Sequence, residues 1–157
     1  MSKSKTNAMR LLDAAGISYL LKEYDISDEE ISAPAVAQKL HVESERVFKT
    51  LVTEGKHTEL NIFVIPANTE LNLKKAATCA GDKNIEMIKS KDLFPKTGYI
   101  HGGCSPIGMK KFYPTFIDET AQLFDTIFVS GGKVGIQIEI SPDDLHLITK
   151  AKYCDLT

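Results

Sequence analysis

No stretch of the 157 residues approaches the roughly 18 consecutive apolar positions that a membrane-spanning helix needs. The N-terminal stretch Met1–Thr6 is polar and no apolar run follows it, so no secretory signal is expected. Cysteine is scarce. Cys79, Cys104 and Cys154 are odd in number, far apart and free of any C-x-x-C pair. That argues against a disulfide framework and a zinc knuckle, and favours a reducing, cytoplasmic setting. An excess of positive charge is missing too: the formal net charge is −2, which speaks against nonspecific DNA binding through many phosphate contacts. A local patch stays open, because Lys74, Lys75, Lys110, Lys111, Lys133, Lys150 and Lys152 can either gather on one face or scatter over solvated surface. His41, His57, His101 and His146 show no metal-ligand spacing, and neither H-E-x-x-H nor G-x-S-x-G occurs, so no metal, no cofactor and no serine triad are expected.

What is present is the balance of one ordinary globular domain spanning 1–157, with 43% hydrophobic and 25% charged residues and neither repeat nor linker. Ala8, Leu11, Leu12 and Ala15 have helical spacing ahead of Gly16, which predicts a helix over 4–15 and then a strand over 17–24. Ser27 with Glu30, and Ser141 with Asp144, have capping-box spacing. Pro142 at the first helical position strengthens the second, for a helix over 142–149. Shorter helices are expected over 34–40 and 72–80, the latter closed by Gly81. Segments 47–53 and 60–66 flank a turn with Gly55 and predict a hairpin whose second strand, apolar on both faces, is central. Further strands are expected over 126–130 and 134–140. Without a regular βαβ rhythm, the pattern predicts a mixed α/β fold: one largely antiparallel mixed sheet, curling towards a barrel, with helices packed on it.

Three features carry chemistry. Lys49 shares a strand face with Val47 and Leu51, and a lysine on an apolar face is costly without a partner or ligand. It either binds a phosphate or carbonyl oxygen as a point charge, or lies on an edge and reaches to water. The loop His101-Gly102-Gly103-Cys104-Ser105-Pro106-Ile107-Gly108 can bring backbone N–H groups close to an anion or oxyanion, or can be a tight turn. Ser130-Gly131-Gly132-Lys133 reads first as a hairpin turn. Cys104, near His101 and Ser105, is either a nucleophile or a small apolar filler, the filler being the commoner role.

Taken in order, Val47-Phe48-Lys49-Thr50-Leu51-Val52, Leu71-Asn72-Leu73-Lys74-Lys75-Ala76-Ala77, Lys96-Thr97-Gly98-Tyr99, Gly102 to Lys111 and Val129-Ser130-Gly131-Gly132-Lys133 resemble the YbaK/EbsC family. These are free-standing relatives of the editing domain in bacterial prolyl-tRNA synthetase. The likeness runs from about Asn7 to Asp155. It implies the editing-domain fold and a deacylase that acts in trans on mischarged tRNA, above all cysteine on proline tRNA. Editing of alanine or another small amino acid, or tRNA binding without turnover, are the alternatives. The resemblance assigns catalytic roles to Lys49, Gly102 and Ser105, and substrate contacts to Tyr24, Thr50, Gly103, Gly131 and Gly132. The implied partners are the acceptor end of aminoacyl-tRNA and prolyl-tRNA synthetase, with a monomer as the default. It also implies attack by the substrate's own thiol. Cys104 stands where the family usually has an aliphatic residue, Ser32 lies where an aromatic pocket residue is common, and Gln137 replaces an aspartate. The last two leave the edited amino acid open, since a pocket distinguishes one methylene by only about 1–3 kcal/mol.

Overall fold

The computed structural model describes residues 4–157. Helix α1 (Asn7–Ala14) is shorter than the sequence pattern predicts because Thr6 caps it, its hydroxyl accepting the Met9 N–H. Strand β1 (Leu20–Glu23) follows. No helix forms at the Ser27–Glu30 spacing. The Asp25 carboxylate accepts from both the backbone and the hydroxyl of Ser27, and the chain turns instead. Helix α2 (Ala33–Leu40) begins after Ser32, whose hydroxyl accepts the Ala35 N–H.

Strands β2 (Phe48–Gly55) and β3 (Leu60–Pro66) form the expected hairpin, with Lys49 opposite Ile65. All seven residues of β3 are buried, as its two apolar faces demand. Helix α3 (Leu73–Ala80) is capped by the Asn72 side chain and closed by Gly81 at φ +71°. Strand β4 (Ile85–Met87) and helix α4 (Ser90–Thr97) come next, then β5 (Thr115–Asp118), β6 (Ile127–Ser130), β7 (Ile136–Ile140), α5 (Pro142–Thr149) and β8 (Lys152–Cys154). Helix α5 has the predicted Ser141 cap and two aspartates in its first turn, where the helix dipole favours them.

The strands form two sheets, in the orders β1-β7-β6 and β4-β2-β3-β5-β8. Four of the pairings are antiparallel, and β3–β5 and β5–β8 are parallel. The sheet does not close into a barrel. Instead, the two sheets meet at a single bridge between Val47 and Phe128. Arg46 reinforces this seam by donating to the backbone and hydroxyl oxygens of Thr126 and pairing with Glu139 at 3.4 Å. Beneath it lies the main core. Phe48, Val64 and Ile117 of the larger sheet pack there with Ile127, Val129, Ile138 and Ile140 of the smaller one, and with Leu12 and Leu145 of the helices.

Candidate active site

A cleft opens where the edge of β2 is left uncovered. Strand β4 pairs only with Thr53–Gly55, and the bridge to β6 is made by Val47, the residue just before β2. Between those points the β2 edge faces a cavity of about 600 Å³. Lys49, Thr50 and Leu51 line its floor. Tyr24 and Gln137 enter from the smaller sheet, Ile31 and Ser32 from the segment before α2, Leu93 and Phe94 from α4, and Ile100, His101 and Gly102 from the glycine loop.

Burial lowers the Lys49 pKa from the ordinary lysine value, and the carboxylate of Glu70 opposes that shift. Lys49 is half-buried and lines the cleft. It is a partly desolvated cation at the floor of a cleft. Three other buried polar atoms in the cleft have no hydrogen-bond partner: the Tyr24 hydroxyl, the Thr50 hydroxyl and the Gln137 carbonyl oxygen. Unsatisfied groups of this kind cost free energy unless a ligand or water completes them. Their convergence on one cavity makes it the candidate binding site.

The remaining predicted residues lie close by but play a different part. Gly102 lines the cleft with φ +83°, and a Cβ there would meet Ile31 Cδ1 at 2.7 Å. Gly103 faces the other way. Its N–H donates to the Ile100 carbonyl at 3.0 Å, and a Cβ would lie 2.9 Å from the Val134 backbone nitrogen. The Gly131 N–H donates to the Ile136 carbonyl, and the Gly132 N–H donates to the Ser130 hydroxyl. A Cβ on Gly132 would meet the Tyr99 ring at 2.9 Å. The two glycine-rich loops thus dock against each other, and of their glycines Gly102 alone lines the cleft, beside His101, Cys104 and Ser130. Ser105 is fully buried, and its hydroxyl accepts the Ile107 N–H at 3.2 Å. Cys104 does line the cleft, but burial pushes its thiol up to about 12. A thiol so far from ionisation is a poor nucleophile.

Sequence reasoning missed the wall built by α4, because Pro95 inside the segment argues against a helix. The apolar pair Leu93-Phe94 was its only signal. Gln137 and Ser32 stood out only as departures from the family pattern, and both line the cleft.

Residues 29–147 match the model of the aminoacyl-tRNA editing domain. The chain belongs to this family. It is 46% identical over 99% of its length, and 95% of the relative's, to EbsC of Enterococcus faecalis, to which Cys-tRNA(Pro)/Cys-tRNA(Cys) deacylase activity is ascribed. It is 29% identical over 55% of its length to a proline–tRNA ligase of Thermosipho melanesiensis, covering 17% of that enzyme. Among solved structures, one ascribed a trans-editing role for prolyl tRNA synthetase superposes with a TM-score of 0.86 at 23% identity, over 99% of both chains. That likeness establishes the editing-domain fold and agrees with the mixed α/β architecture described above. Among the described residues no helix is long and apolar enough to cross a membrane.

Proposed function

We propose that this editing-domain protein is a trans-acting aminoacyl-tRNA deacylase whose principal substrate is cysteine misattached to proline tRNA. The observation that carries the reading is the cleft itself: a cationic Lys49 together with the unpartnered Tyr24, Thr50 and Gln137 oxygens. The near-full-length similarity to EbsC supports the substrate class.

A mechanism follows from what the cleft offers. Cys104 and Ser105 are poor candidates for an enzyme nucleophile, one by its raised pKa and the other by its burial. The substrate's own thiol supplies the attack. Its sulfur bonds to the ester carbonyl carbon, the bond from that carbon to the ribose oxygen breaks, and the thiol proton ends on the departing ribose hydroxyl. The cyclic thioester released then takes up water. Intramolecular attack in a fixed geometry can contribute about 7–11 kcal/mol in favourable systems. Lys49 holds the developing negative charge on the carbonyl oxygen, and Gly102 admits the substrate closely. Tyr24, Thr50 and Gln137 hold the aminoacyl group. Gly103, Ser105, Gly131 and Gly132 keep the two loops in the shape that leaves the cleft open.

The same domain within a proline–tRNA ligase relative suggests the physiological partner. A free-standing copy recognises mainly the acceptor end and gains tRNA choice from prolyl-tRNA synthetase. The test is single-turnover deacylation of proline tRNA charged with cysteine or with alanine, with and without the synthetase, for wild type and Lys49→Ala. Loss of cysteine that falls about 100-fold or more in the variant supports the reading. Loss of alanine alone would move it to the small-amino-acid alternative. No loss of either would leave a tRNA-binding module without turnover.

A further inference from the structure

The cleft described above accounts for the ester and the amino acid, but its mouth carries an apolar rim that those groups do not use. Met87, Phe94 and Ile100 all line the opening, and all are largely exposed, Phe94 at 56%. Phe94 stands on α4, which lines the cleft together with the β2 edge, Gln137 and Tyr24. A large aromatic ring left in water at the lip of a binding cleft is apolar surface awaiting a partner.

Beside it is a cation. The Lys110 ammonium lies 5.5 Å from the Phe94 ring centroid and donates to the Pro95 carbonyl at 3.1 Å. The Lys110 backbone N–H also bonds to the Thr97 carbonyl, which ties the loop bearing it to the end of α4. Lys110 therefore stays next to the ring with two uncharged partners, and Phe94 still keeps more than half its surface open. An exposed aromatic flanked by an ammonium is the pairing that receives an unpaired nucleic-acid base with its phosphate. Lys49 lining the same cleft and Lys110 beside Phe94 give this region two cations, on a chain whose net charge is −2.

We propose that Phe94 and Lys110 form a subsite for the unpaired 3′ end of the substrate RNA, one base stacking on the open part of the Phe94 ring while Lys110 meets the adjoining phosphate. The inference rests on the deacylase reading, because it places the esterified end of that strand at Lys49. It gives a domain of modest size a second, sequence-tolerant grip on its substrate, since every base has a face that stacks.

The chain contains no tryptophan, so Phe94→Trp installs a single fluorescent reporter at the subsite. The probe is an uncharged RNA hairpin with an unpaired C-C-A 3′ end, compared with the same hairpin ending blunt. Quenching of the tryptophan by the C-C-A hairpin, and not by the blunt one, is the expected result. In deacylation, Phe94→Leu should raise KM about 5-fold or more, at the lower end of what one stacked base contributes, with kcat changing less than KM. Lys110→Gln should also raise KM and should weaken its dependence on salt. Unchanged tryptophan emission at RNA concentrations that saturate the wild type overturns the proposal. So does a Phe94→Leu enzyme with wild-type KM. Absence of deacylation by the wild type would count against the deacylase reading, whereas the fluorescence comparison would still decide the RNA subsite.

Discussion

At the scale of single residues, Lys49 and Cys104 show how the same cleft treats two ionisable groups. Burial lowers the pKa of Lys49 and raises that of Cys104, in both cases because the charged form loses hydration. For Lys49 the linkage to stability has a definite sign. Its pKa in the fold lies below the ordinary 10.5, so the unfolded chain binds the proton more tightly. The penalty is fully present below the folded pKa and disappears as pH rises towards 10.5. Lys49→Met should therefore remove a rise in stability across that alkaline window, measured by urea denaturation at a series of pH values. A variant curve parallel to wild type would show that Lys49 is effectively solvated. For Cys104 the expectation is inertness. Iodoacetamide should leave this thiol unmodified in the native protein and label it in urea, and Cys104→Ala should keep deacylation within a few-fold. A large loss of activity on that substitution would return the thiol-enzyme alternative to consideration.

At the scale of elements, the residues that looked most chemical in the sequence prove to be split between lining and support. Gly102 faces the cleft while Gly103 packs on the Lys133–Val134 backbone. Sequence motifs cannot separate those roles, because both require glycine. Gly103→Ala should push the two loops apart and cost about 1–3 kcal/mol, the range for inserting a methyl into a packed contact. Thermal unfolding would read this, and an unchanged Tm would mean the loops yield easily. The β2–β3 turn has its own device. The Asp82 carboxylate accepts from the Thr58 hydroxyl and from the backbone N–H groups of His57, Thr58 and Lys83, which holds it well below the usual carboxylate range. Because the folded pKa is depressed, the stabilisation is complete above the unfolded value near 4 and is lost as pH falls through the folded one. Asp82→Asn should flatten the acid limb of stability and leave neutral-pH deacylation intact. A steep acid limb in that variant would assign the limb to other carboxylates. Local rules read the β2–β3 hairpin and helix α5 well, since caps, turns and alternation are short-range signals. They failed at Ser27, where a nearer carboxylate captured the hydroxyl, and at α4, where Pro95 masked a helix.

At the scale of the whole molecule, the short strands β5 and β8 could not be read from the sequence, because parallel pairing joins segments distant along the chain and has no local signature. The same holds for the seam that creates the cleft. Only the packed molecule shows that two sheets share one core and meet at a single bridge, leaving part of the β2 edge open between them. This shared core has a consequence for unfolding. Ile138 is fully buried in the smaller sheet, yet its cluster includes Phe48, Val64 and Ile117 of the larger one. If the core couples the sheets, Ile138→Ala should destabilise both together by about 2–5 kcal/mol, the usual cost of truncating a buried isoleucine. The loss should appear as one cooperative transition at lower urea, superimposable by far-UV circular dichroism and by tyrosine fluorescence. Native-state hydrogen exchange supplies the sharper reading. Amides of β3 and β7 should lose protection by the same amount in the variant, because global opening exposes them together. Protection lost in β7 but kept in β3 would show that the sheets open independently. In that case the cleft between them would be a flexible boundary, and Tyr24 and Gln137 would be set against Lys49 only when substrate binds.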